Sequence, residues 1–135
     1  MKFTVKKEVA LEDISSALCS ALEGGSNYWY FIEEFIAPTA WEYLDGAKDG
    51  RHYAHTYPLN EGGALLISVL PEREGEKVPF TKESPFRLDN AAMQKGLDVM
   101  ADKYPRHFAD LINDSDAGTG DVLLQCCVFG DVIYG

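Results

Sequence analysis

The sequence predicts an α+β fold, an antiparallel sheet of about three to five strands with helices packed on one face. Three observations predict it. Apolar residues recur at helical spacing over 11–22 and again over 93–104. Residues 64–70, Ala-Leu-Leu-Ile-Ser-Val-Leu, form an almost unbroken apolar run of strand length. The run Tyr28-Trp29-Tyr30-Phe31-Ile32 is aromatic and β-branched, as strands are. With 135 residues and no internal repeat, heptad or low-complexity tract, the chain reads as a single domain, 1–135.

Thr4, Val5 and Val9, interleaved with Lys2, Lys6 and Lys7, suggest an opening edge strand whose lysines discourage pairing with other chains. Leu11, Ile14, Leu18, Ala21 and Leu22 then mark one stripe of an amphipathic helix. Glu12 and Asp13 suit its first turn, and Gly24-Gly25 stops it. Residues 28–32 read as a strand ended by Pro38, although Phe31, Glu34 and Phe35 would also suit a short helical face. One alternate set of its aromatic side chains is core; the other forms an exposed patch or lies beneath a helix.

Residues 51–57 alternate, Tyr53, His55 and Tyr57 against His52, Ala54 and Thr56, so a half-buried strand is expected there. With the turn Asn60-Glu61-Gly62-Gly63 and the central strand 64–70 it would make an antiparallel hairpin. Residues 71–85, charged and containing Pro and Gly, are expected to form no packed element and to be the most mobile stretch.

Asp89 is placed to cap a second helix carrying Met93, Leu97, Met100, Ala101 and Tyr104 on one face. Pro105 suits the first position of a third, with Phe108, Leu111 and Ile112 inward. Thr119 is expected to cap a last helix, 120–129, apolar on nearly every side, with Gln125 its only polar side chain after Asp121. Such a helix is central to a core or buried against a second copy. Homodimerisation through 122–134 follows if one small sheet cannot cover it; otherwise the sheet and three helices enclose it within one subunit. Gly130 ends this helix, and Val132-Ile133-Tyr134 suggests a closing strand.

Composition narrows the function. The chain has 12 basic and 22 acidic residues, a formal charge of −10, so phosphate backbones and anionic lipid surfaces are repelled. No direct nucleic-acid or membrane binding is expected. Residues 1–8 resemble no signal peptide, and the longest apolar run falls short of the roughly 20 residues of a membrane span. Cys19, Cys126 and Cys127 have no scaffold spacing and read as reduced, buried thiols. A cytoplasmic location is the expectation.

Chemistry-bearing patterns are weak. His52 and His55, three apart on a strand, would point to opposite faces and could not chelate one metal together. Residues 113–121 imitate a calcium loop, but the register of ligands and glycine fails from either starting point. Neither Gly24-Gly25 nor Gly118-Thr119-Gly120 belongs to a phosphate-binding motif. No GxSxG elbow is present, and Cys126 and Cys127 lie in the most apolar segment, where thiols lose reactivity. No catalytic residues, metal ligands or cofactor are therefore assigned. A pocket near Tyr28, Trp29, His107 and Asp121, with Tyr30 beside it, is the candidate site for a partner or ligand.

The segment Glu23-Gly24-Gly25-Ser26-Asn27-Tyr28-Trp29-Tyr30 resembles the EGG-x-x-YW segment of small proteins encoded by bacteriophages and prophages. Tyr104-Pro105-Arg106-His107-Phe108 and Asp116-Ala117-Gly118-Thr119-Gly120-Asp121 are similar to that group's C-terminal half. So are Leu124-Gln125 and the stretch from Phe129 to Gly135. The resemblance implies a viral accessory product acting inside a bacterial cell, and carries no catalytic residues across. The expected function is non-enzymatic binding of a host protein or a small ligand, inhibition of host defence being one such role. The alternatives are a small nucleotide-like-ligand binder or hydrolase, and an acidic mimic of DNA.

Overall fold

The computed structural model describes residues 1–3, 5, 7–46, 51–73, 78, 80 and 85–135. In chain order its elements are α1 (Leu11–Ser20), β1 (Tyr30–Ile36), β2 (Ala64–Val69), β3 (Phe86–Leu88), α2 (Asn90–Lys103), α3 (Pro105–Asn113) and α4 (Ala117–Phe129). The strands form an antiparallel sheet in the order β1-β2-β3, so the fold is α+β, as the apolar patterning predicts.

The central strand is β2. Its Leu65, Ile67 and Val69 enter one core with Leu88 of β3 and with Leu18, Met100, Leu123 and Leu124 of the helices. Opposite them on β1 stand Phe35, Ile32 and Tyr30; the register shifts between Ile32 and Glu34, leaving Glu33 as an extra residue at a bulge. Phe31, opposite Ser68, faces the other side of the sheet and is half-buried. Trp29, just ahead of the strand, escapes the alternation and is as buried as Tyr30.

Helix α1 follows its apolar stripe. Its last turn widens into a π turn over Ala21–Gly25, closed by Ser26 N–H to the Ala21 carbonyl at 2.9 Å. Helix α2 starts where Asp89 accepts the Ala92 amide at 3.0 Å, and Pro105 opens α3. Helix α4 occupies the middle of the helical layer. Its residues Leu123, Leu124, Gln125 and Cys126 are fully buried. At Gly120 an added Cβ would meet the Ala17 carbonyl oxygen at 2.3 Å, so α1 and α4 cross in near backbone contact. The helix ends on Gly130, at φ 72°. Because α1, α2, α3 and β3 enclose it, surface in 122–134 is confined to Asp131, Ile133 and parts of Val122, Phe129, Gly130 and Val132. A homodimer through 122–134 would have to rest on those few side chains.

Five expectations are corrected. Residues 51–57 form no strand; a 3-10 turn spans Ala54–Thr56, where the Thr56 hydroxyl donates to the Tyr53 carbonyl at 2.6 Å. Both sides of β2 are occupied by β1 and β3, so no hairpin with 51–57 is available. The described residues of 1–10 form no strand; Thr4 and Lys6 lie outside the described set. Val132, Ile133 and Tyr134 form no closing strand, since the Ile133 and Tyr134 amides are given to a side chain of α4. Asp116, rather than Thr119, caps α4, and accepts from the Thr119 amide and hydroxyl at 2.9 and 3.0 Å. Residues 71–85, expected to pack nowhere, hold a 3-10 turn at Pro71–Arg73 and place Val78 and Phe80 against the core. The expected mobility of that stretch falls largely on residues outside the described set.

Candidate functional site

Asp121 stands at the start of the second turn of α4. The turn that leaves the π segment brings three donors to it. Oδ1 accepts from Ser26 Oγ at 2.7 Å and Trp29 Nε1 at 2.9 Å. Oδ2 accepts from the Tyr28 hydroxyl at 2.5 Å and from Gln125 Nε2 at 3.1 Å. Two oxygens thus receive four donors, the full capacity of a carboxylate. Burial, and then the hydrogen bond to Asp121, push the Tyr28 phenol up to about 12, so it stays a protonated donor.

Gln125 extends the network one turn along α4. Its Nε2 also donates to the Tyr134 carbonyl at 2.9 Å, and its Oε1 accepts the Ile133 and Tyr134 amides, both at 2.8 Å. The C-terminal segment is thereby pinned beside Trp29, whose ring lies 5.0 Å from Phe129 and 6.0 Å from Tyr134. The Arg73 guanidinium covers the outer side, over the rings of Tyr28 and Tyr134.

Of the five candidate residues, Tyr28, Trp29 and Asp121 meet at this node. Tyr30 points inward and donates to the Leu22 carbonyl at 3.1 Å, its phenol pushed up to about 12 by burial and then by Glu23. His107 lies apart on α3, edge-on to Tyr104. The node fastens the start of β1 and the C-terminus to α4. Its exposed edge is Tyr28.

Two other groupings had no signal in the linear sequence. At the end of the sheet an aromatic ladder runs from Phe35 to Tyr57 (5.2 Å), to Trp41 (4.9 Å, perpendicular) and to His52 (3.6 Å, parallel). Close to it in sequence, Leu44 and Tyr53 are 54% and 39% exposed, and Glu42 and Asp45 are exposed too. Near that surface the buried His55 has Nε2 2.7 Å from Asp45 Oδ2, the oxygen that also accepts from Ser15 Oγ at 3.3 Å. Asp45 and Ser15 border an open hollow of about 390 Å³ that also reaches Glu12, Cys19 and Tyr43.

The hollow brings Asp45, the partner of the buried His55, beside the Cys19 thiol, which is not a reactive one. Burial, then the charges of Glu23 and Asp45, raise the Cys19 thiol, which stays protonated near neutral pH. The histidines His52 and His55 engage different partners, and no group of three His, Cys, Asp or Glu side chains among the described residues could hold a metal. Among those residues no helix is long and apolar enough to cross a membrane. No protein-family model, curated protein or solved structure matches the chain.

Proposed function

We propose that the chain is a non-enzymatic binding protein, a phage or prophage accessory product that modulates a host protein inside the bacterial cytoplasm. The observation that supports it is the exposure of Leu44 and Tyr53, close in sequence to the Trp41–His52 stack, with exposed carboxylates at Glu42 and Asp45. Aromatic side chains flanked by charge are the composition of protein-binding surfaces. Exposed carboxylates on a chain of charge −10 favour a partner that offers lysines or arginines beside an apolar surface. Inhibition of a defence system is one role such a product takes. The raised thiols and the saturated carboxylate of Asp121 offer no nucleophile or base in support of turnover.

The test is capture from a host-cell lysate by the full chain and by the Leu44→Glu, Tyr53→Glu double variant, followed by calorimetry with the purified partner. The reading expects one saturable partner whose affinity falls with salt and is lost in the double variant. Equal binding by both proteins overturns the assignment of the surface. Turnover of a nucleotide or ester that one side-chain change abolishes overturns the non-enzymatic reading itself.

A second reading, a small-ligand binder, is favoured by the hollow between α1 and Asp45. Its carboxylates, Glu12 and Asp45, disfavour a nucleotide and suit a neutral or cationic polar molecule.

A further inference from the structure

Ser15, His55 and Asn60 are each 2% exposed, and each is bonded to the loop of residues 43–45. Asn60 Oδ1 accepts the Tyr43 amide at 2.7 Å, and its Nδ2 donates to the Tyr43 carbonyl at 3.0 Å. Ser15 Oγ and His55 Nε2 both meet Oδ2 of Asp45. Polar groups are costly to bury unless they are bonded, and here all three fix one loop against α1. That loop, through Tyr43 and Asp45, is a built wall of the hollow.

The opposite wall is the polar side of α1. Glu12, Ser16, Cys19, Ser20 and Glu23 follow one another at the intervals of a single helical stripe. The first four of them line the hollow, and the charge of Glu23 reaches the Cys19 thiol. Glu12 and Glu23 thus stand at the two ends of a row of hydroxyls roughly 15 Å long at the helical rise. Asp45 meets α1 between them, at Ser15. No described residue lining the hollow is basic. Glu12 and Oδ1 of Asp45 receive no donor from the described residues.

A row of acceptors between separated carboxylates takes a ligand with donors along its length and positive charge toward both ends. A compact metal ion suits it poorly, since no group of three His, Cys, Asp or Glu side chains among the described residues could hold one. We propose that the hollow binds a linear polyamine, whose terminal ammoniums meet Glu12 and Glu23 and whose inner ammonium meets Asp45. The serine hydroxyls accept its remaining N–H groups. The proposal rests on the reading of the hollow as a small-ligand site and names the class of ligand.

Calorimetry of the full chain with spermidine tests it, with amide chemical shifts to place the ligand. One saturable site is expected, with shifts confined to 12–23 and 43–45. Glu12→Gln with Glu23→Gln should weaken binding by roughly tenfold or more. Both side chains are exposed, so circular dichroism should report an unchanged fold. Asp110→Asn with Asp114→Asn removes the same charge from exposed positions that do not line the hollow, and should change affinity by less than about twofold. Equal weakening by the two pairs overturns the proposal, because binding would then be diffuse attraction to a chain of charge −10. So does equally tight binding of hexaamminecobalt(III), a compact cation of the same charge as spermidine. If erythritol, a neutral polyol, shifts the amides of 12–20 and 43–45 and spermidine does not, the polyamine is overturned and the small-ligand reading stands. No shift with any of these probes overturns both.

Discussion

Trp29 donates its indole N–H to Oδ1 of Asp121 at 2.9 Å, tying the approach to β1 to the N-terminal half of α4 across 92 positions of sequence. The ring of Trp29 is fully buried, so its N–H has no access to water if that oxygen is removed. Ser26 loses the same acceptor. Asp121→Ala should therefore destabilise the protein by about 1–3 kcal/mol, as an orphaned buried donor does. Asp121→Asn, which keeps one acceptor oxygen, should cost less. Urea unfolding followed by tryptophan fluorescence separates the three proteins; coincident midpoints would show that the node does not hold the fold.

How much of this network was legible beforehand depends on where each partner comes from. The stripes of Leu18 in α1 and of Leu97 and Met100 in α2 mark their helices because those elements are long enough to repeat a 3.6-residue period. Strand β3 has three residues, Phe86–Leu88, too short for any period to register, and it is ordered by pairing with β2. Residues 51–57 alternate as a strand does, but no edge of β2 is free to take them. The grouping of Tyr28, Trp29 and Asp121 followed motif-like segments, and those segments build a hydrogen-bonded node. The Asp45–His55 pair is made by a loop that returns ten positions later beside α1, a closure that no spacing rule announces.

Gly96 sits in the interior of α2, where replacement by alanine would ordinarily add helix propensity worth about 1 kcal/mol. Here the sign reverses. A Cβ at Gly96 would fall 2.1 Å from Cys127 Sγ and 2.7 Å from Cys127 Cα, so side chain and backbone of α4 both stand in its way. Gly96→Ala should lower stability by about 1–3 kcal/mol or more, because the two helices must separate. Adding Cys127→Ala should not restore it, since the backbone contact remains. A thermal midpoint at or above that of wild type would contradict this crossing.

Thiol reactivity follows burial. Cys127 is enclosed between α4 and α2, with Sγ 3.9 Å from the Met93 sulfur, and burial raises its pKa. Burial pushes Cys126 up to about 11. Cys19 is also raised but is partly accessible beside the hollow at Asp45. In a timed reaction with a thiol reagent near neutral pH, one of the three cysteines, Cys19, should label in the native protein. All three should label once the chain is unfolded. Prompt native labelling of Cys126 or Cys127 would mean that α4 opens readily, and Cys19→Ser identifies the reacting thiol.

Two phenols make stability sensitive to alkali. Tyr28 and Tyr30 are both pushed from the ordinary value near 10 up to about 12, Tyr28 by burial and then its hydrogen bond to Asp121, Tyr30 by burial and then Glu23. Below pH 10 both are protonated whether the chain is folded or not, and their contribution to stability is whole. Between pH 10 and about 12 the unfolded chain releases these protons while the folded chain retains them, so stability falls as pH rises through that window. Urea midpoints should therefore decline steadily across it. A rapid absorbance titration of phenolate in the native protein should resolve late ionisation among its seven tyrosines. Tyr28→Phe should remove part of the late component and shorten the decline in midpoint, while leaving Asp121 its bonds to Ser26 and Trp29. Simultaneous ionisation of all seven near pH 10, with the fold intact, would show that neither phenol is held as the geometry requires.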